Sequence, residues 1–136
     1  MLLRIVLTDE ESRLLAAINQ YRAERARFPL QLDDMLQREA RRSVGQYNHR
    51  IQGRWVWERL QARGFEGFAT DNIARGDMTP EEAVALWGGE VRPSGHEKQM
   101  LGFMKVNGQW VDREFNIAGV AVDGGKFIAI FGRRTD

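Results

Sequence analysis

The chain's only two imidazoles are His49 and His96, and each stands near a separated carboxylate: Asp71 in Thr70-Asp-Asn-Ile-Ala-Arg-Gly76, and Glu90 in Trp87-Gly-Gly-Glu90. Neutral imidazole beside carboxylate is what a divalent metal, or a proton relay, asks of a protein. Cysteine is absent, so any metal would be held by nitrogen and oxygen alone. Two histidines with acids could bind such an ion in an arrangement that leaves positions open to water or ligand. Spacing alone is weak support. No HExxH-type helix supplies the pair locally, and only the fold can bring His49 and His96 together. On the residues alone, two unrelated surface or loop histidines are the better account.

The elements that would have to position these residues are partly readable. Thr8-Asp-Glu-Glu11 has the form of a capping box and starts a helix at about Asp9. Leu14, Leu15, Ile18 and Tyr21 make its apolar stripe, Arg13, Gln20, Arg22 and Glu24 lie elsewhere on its surface, and Phe28-Pro29 ends it. Asp33 or Asp34 can cap a second helix with Leu36, Ala40, Val44 and Tyr47 on one side. Continued through His49, that helix would turn the imidazole away from its apolar stripe, so a functional His49 requires the helix to stop first. Arg54 to Arg63 reads as a third helical piece stopped by Gly64, followed by a loop. Thr79-Pro80-Glu81-Glu82 starts a fourth that runs to Trp87 and closes at Gly88-Gly89. Pro93-Ser-Gly95 opens a loop that delivers His96 to a helical turn at Glu97 to Leu101.

From Gly102 the period changes to that of strands. Phe103 to Val106 and Gln109 to Val111 flank Asn107-Gly108, and Phe115 to Val122 and Lys126 to Phe131 flank Asp123-Gly-Gly125, giving two hairpins. Helices first and strands last predict an α+β domain spanning 1–136, with an antiparallel sheet covered by helices. At 136 residues the chain is large enough for one real core and too short for two. A net charge of +1 supplies no general field for polyanions, which argues against nucleic acid as a partner. The apolar start, Met1 to Leu7, is cut by Arg4 and is too short for a membrane span or a signal-peptide core.

Several words along the chain, in order, resemble the CAP superfamily, the SCP domain shared by cysteine-rich secretory proteins, venom allergens and pathogenesis-related plant proteins. Ile18-Asn-Gln-Tyr-Arg22 is similar to the family's opening helix, and Asp71-Asn-Ile-Ala74 with Gly76 to its Gly-Glu-Asn-Ile/Leu-Ala word. Thr79 to Val84 with Trp87, Ser94-Gly-His96, and Ile117-Ala-Gly-Val-Ala-Val122 resemble its next helix, its Gly-His word and its penultimate strand. The resemblance implies an α-β-α sandwich and a cavity of two histidines and two acids, carried here by His49, Asp71, Glu90 and His96. It reverses the balance in favour of a shared cavity. Asp71 departs from the family's Glu, which shortens its reach by ~1.5 Å and can turn a direct ligand into an indirect one. The stretch from His96 to Phe115 is longer than in many relatives and holds an extra hairpin.

The resemblance further implies an exported, bacterial SCP-like domain, with any signal segment removed from this chain. Its cavity would bind a divalent cation such as zinc, through His49 and His96, and an undetermined small, lipid or peptide ligand. No catalysis is assigned. Two alternatives stay open: a metal-assisted, peptidase-like hydrolase with Glu90 activating a zinc-bound water, and a non-catalytic partner-binding domain in which the histidines simply hydrogen-bond the acids. Trp55, Trp57, Trp87 and Trp110 read as core or cavity wall. The Arg38, Arg41, Arg42, Arg50 and Arg54 group reads as a solvated helical face rather than an anion patch.

Overall fold

The computed structural model describes residues 5–89 and 95–135. Helix α1 (Asp9–Ala23) begins where its cap predicts: Thr8 Oγ1 accepts the Glu11 amide at 3.1 Å and Glu11 Oε1 accepts the Thr8 amide at 2.9 Å. It stops at Ala23, short of Phe28-Pro29. Arg22, expected on the surface, is buried instead. Its guanidinium donates to the carbonyls of Phe28, Met100 and Phe115 at 2.9, 2.7 and 3.2 Å, so three separate segments are tied to the end of α1. A periodicity argument cannot find this, because the partners are remote backbone carbonyls.

Asp33 caps α2 (Asp34–Ser43), accepting the amides of Met35 and Leu36 at 2.9 and 3.1 Å. A 3-10 turn over Val44–Gln46 follows, and Tyr47 takes a left-handed conformation at φ 43°. The helical path therefore ends before His49, as a functional His49 requires. Glu58 accepts the Trp55 amide at 3.0 Å at the start of α3 (Val56–Ala62). Thr79 and Glu82 form the reciprocal cap of α4 (Pro80–Gly89), which continues through the two glycines expected to close it. A side chain on Gly88 would collide with the Tyr21 ring, so the missing Cβ lets α1 and α4 approach closely. Helix α5 (Gly95–Met100) carries His96 near its start.

The strands are β1 (Gln31–Leu32), β2 (Gly67–Arg75), β3 (Phe103–Val106), β4 (Gln109–Asp112), β5 (Ile117–Asp123) and β6 (Lys126–Arg134). Both predicted hairpins are present, β3 with β4 and β5 with β6, and each turns on residues at positive φ: Asn107 and Gly108, Gly124 and Gly125. Two strands were not foreseen. The loop expected after Gly64 is in fact β2, nine residues long and paired antiparallel along β6 from Gly67↔Arg134 to Arg75↔Lys126. Strand β1 pairs parallel with β5, so the main sheet is mixed, in the order β1-β5-β6-β2, rather than purely antiparallel.

Alternating side chains of this sheet feed two cores. One face gives Ala74, Ala118, Val120, Phe127, Ala129 and Phe131 to a cluster with Leu14 and Ile18 of α1, Trp87 of α4 and Met100 of α5. The other gives Ala69, Ala121, Ile128 and Ile130 to a cluster with Leu36 and Ala40 of α2 and Val56 and Leu60 of α3. The result is an α-β-α sandwich. Gly119 sits where α2 crosses β5, and a Cβ there would strike the Leu36 backbone. The strand opens its lateral hydrogen bonds to α2 as well: Gln37 Nε2 donates to the Val120 carbonyl at 2.7 Å and Gln37 Oε1 accepts its amide at 2.8 Å. Beyond the two residues of β1, this amide side chain stands in for a neighbouring strand.

Candidate functional site

Strand β2 lies at the edge of the sheet and carries polar residues in its middle. Asp71 and Asn72 are adjacent, so their side chains leave on opposite faces. Both are buried. On the α2/α3 side, Asp71 Oδ1 lies 2.7 Å from His49 Nδ1, in a residue reached by the chain just after the turn that ends α2. Asp71 Oδ2 is buried with no protein partner among the described residues. The hydrogen bond to Asp71 raises the His49 pKa above its ordinary value against the opposing effects of burial and of Arg59.

On the other side, Asn72 anchors α5. Its Nδ2 donates to the His96 carbonyl at 2.9 Å, while its Oδ1 accepts Gln99 Nε2 at 2.8 Å. Gln99 Nε2 also donates to the Asp71 carbonyl at 2.9 Å, and Thr70 Oγ1 donates to Gln99 Oε1 at 2.6 Å. One short run of β2 therefore holds the His49 side chain by Asp71 and the His96 backbone by Asn72. Glu90 lies outside the described residues. Among the described residues no three His, Cys, Asp or Glu side chains are grouped closely enough to hold a metal ion.

Beside this edge is a cleft of about 440 Å³, a size in the range of small-molecule sites. Its walls include Trp55 and Trp57 from the start of α3, Asp71 from β2, Gln99 from α5, and Met104 and Lys105 from β3. Trp57 Nε1, like Asp71 Oδ2, is buried without a protein partner among the described residues. Both residues belong to the cleft wall, in which the aromatic and apolar side chains of Trp55, Val56, Trp57, Ala69 and Met104 stand among polar ones.

Asn72 and Gln99 were not singled out from the sequence, although they hold α5 to the sheet. The available signal was small: an Asn inside a resemblance word, and a Gln one helical turn after His96. The sequence places the tryptophans in core or cavity wall. Trp87 is core and donates its indole N–H to the Ile73 carbonyl at 3.0 Å, while Trp55 and Trp57 line the cleft.

Comparison with solved structures fits this architecture. An outer surface protein of Borrelia burgdorferi superposes with a TM-score of 0.74 at 16% identity, over 99% of this chain and 100% of that one. A cysteine-rich secretory protein of Staphylococcus aureus gives 0.67 at 13% identity, over 93% of this chain and 38% of that one. An extracellular, SCP-domain-containing protein of Bacillus anthracis gives 0.65 at 20% identity, over 96% and 45%. The sequence matches no protein-family model and no curated protein. The chain has the SCP-like fold, spanning the whole of the first structure and less than half of the other two. No helix among the described residues is long and apolar enough to cross a membrane.

Proposed function

We propose that this SCP-like domain is a non-catalytic binding module of exported, extracellular type, whose cleft beside β2 receives a small, lipid or peptide ligand. The observation that carries the reading is the divided Asp71 carboxylate. One oxygen orients His49, and the other is buried at the cleft wall without a protein partner. An unpaired buried oxygen costs roughly 1–3 kcal/mol, which a ligand group or a cation would offset. Trp57, a second residue of the cleft wall, likewise has a buried Nε1 without a protein partner among the described residues. A ligand with an apolar body and a paired donor and acceptor, such as an amide or an alcohol, suits both. Extraction of the purified protein with organic solvent, followed by mass spectrometry, tests this: a retained compound is expected from the wild type and its loss from Trp57→Ala. A clean wild-type extract, with no rescue on incubation with fatty acids or short peptides, overturns the cleft assignment.

The donor chemistry also suits a divalent cation such as zinc. An imidazole whose Nδ1 is held by a carboxylate presents Nε2 to metal, with the acid orienting it from behind. His49 would be one ligand and Asp71 the orienting acid, the indirect role that its shorter side chain favours, while His96, whose helix Asn72 holds on the other side of this edge strand, would complete the pair only by reaching round that edge. Bound there, the ion would supply a positive centre for polar ligand groups. Zinc calorimetry tests it, with saturable heat expected from the wild type and lost in both His49→Ala and His96→Ala. Because protons compete for His49, affinity should fall as pH drops through its raised pKa. Equal heat from both variants and the wild type refutes the site.

A further inference from the structure

A second concavity lies between α2 and α3, closed at one end by the bridged turn Ile51↔Arg54. Its volume is about 390 Å³, again within the small-molecule range. Four arginines line it: Arg42, Arg54, Arg59 and Arg63. Glu39 is the only acid in the lining, leaving an excess of three positive charges (four arginines less one glutamate). The whole chain carries a net charge of only +1, so this is a local concentration and not a share of a general basicity.

Glu39 is already committed. Its side chain is 4% exposed and accepts Arg59 Nε at 3.0 Å, Arg42 Nη2 at 2.9 Å and Ser43 Oγ at 2.8 Å. These bonds outweigh the upward push of burial and hold its carboxyl below the usual range, so it is ionised. Arg59 is fixed in turn by the carbonyls of Arg54 and His49, at 2.7 and 3.2 Å. The other two cations are less fully paired, since the single charge of Glu39 is shared among Arg42, Arg59 and Arg63. Arg63 reaches Glu39 only at 3.5 Å and is 54% exposed, and Arg54 has no acidic partner among the described residues. Arginine forks at the rim of a polar groove match the geometry of phosphate oxygens. Ile51 and Ala62 are the only apolar side chains in the lining, so the groove suits a polar ligand.

We propose that the arginine-lined groove between α2 and α3 binds a phosphate-bearing molecule, with Arg54 and Arg63 contacting the phosphate and the Glu39 network holding Arg42 and Arg59 in place. The site is separate from the cleft beside β2 and does not depend on what that cleft binds. A free phosphorylated compound and a phospholipid headgroup offer the same oxygens, and the test separates them.

Calorimetry and amide chemical-shift titrations with inorganic phosphate and pyrophosphate, at constant ionic strength set by chloride, read the site directly. Saturable binding is expected, tighter for pyrophosphate, with shifts confined to the groove. The double variant Arg54→Gln/Arg63→Gln should weaken it by about a hundredfold, since each lost charge-assisted contact is worth about tenfold. Arg63→Lys, which keeps the charge without the fork, should fall between the two. Both positions are solvent-facing; Arg54 meets the Glu39–Arg59 network only through its backbone carbonyl and Arg63 only through its 3.5 Å ion pair, and an unchanged amide spectrum away from the groove checks that the variants fold. Co-sedimentation with phosphatidylglycerol vesicles that pyrophosphate reverses assigns the phosphate to a lipid headgroup; absence of sedimentation with intact pyrophosphate binding assigns it to a soluble compound. Absence of any saturable response beyond chloride, or wild-type affinity in the double variant, overturns the proposal.

Discussion

His49 owes its character to one hydrogen bond. With Asp71 Oδ1 at 2.7 Å the imidazole keeps its proton to a higher pH than it would in an unfolded chain. The pair's contribution to stability is therefore complete below the ordinary histidine pKa of roughly 6.5, and it fades as pH rises through the higher folded-state value. Asp71→Asn removes the charge and the strong acceptor, so the His49 pKa should drop. An NMR titration of the His49 ring protons checks this, and a midpoint unmoved by the substitution would count against the pairing. The same residue scale explains why the site was half legible. The kinds of residue needed were visible as His49, Asp71 and His96, but the orienting role of Asp71 depends on which of its two oxygens meets an imidazole twenty-two positions away.

Among the elements, α2 is bound to the sheet by more than apolar contact. Gln37 is fully buried and satisfies both backbone groups of Val120 where β1 no longer covers β5. Gln37→Leu keeps a similar volume and leaves the Val120 amide and carbonyl unpaired. It should cost about 2–4 kcal/mol, at the desolvation penalty of two buried polar groups, measured as a lower urea midpoint with little change in slope. Nothing in the spacing of α2 announced this role, because Gln37 sits between the apolar positions Leu36 and Ala40 and reads as a polar neighbour. Strand β2 was missed for a related reason. Thr70, Asp71 and Asn72 break an apolar alternation, and Asp and Asn are poor strand formers. In the fold each has a partner: Gln99 for Thr70, His49 for Asp71, and Gln99 with the His96 carbonyl for Asn72. Tertiary partners make an unfavourable sequence into a stable edge strand.

For the whole molecule, one sheet separates two cores, and each should carry its own share of stability. Leu14 and Leu36 are both fully buried, one on each face. Leu14→Ala and Leu36→Ala should each cost about 2–5 kcal/mol. Because the two clusters share β5, β6 and β2, unfolding should stay a single cooperative transition in either variant. Tryptophan fluorescence and far-UV circular dichroism should give coincident curves; separated transitions would mean that the layers melt independently.

What the chain settles by itself is local. Thr8 with Glu11, Asp33, Thr79 with Glu82, Asn107-Gly108 and Gly124-Gly125 act within one turn, because their hydrogen bonds and their positive φ values need no distant partner. The order of helices and hairpins follows from them. The remaining decisions needed contacts between segments far apart: the burial of Arg22 against three carbonyls, β1 as a parallel strand, β2 as an edge, and the meeting of His49 with Asp71. A polar or charged residue is buried only where specific partners compensate its lost hydration, and those partners become neighbours only when the chain has folded.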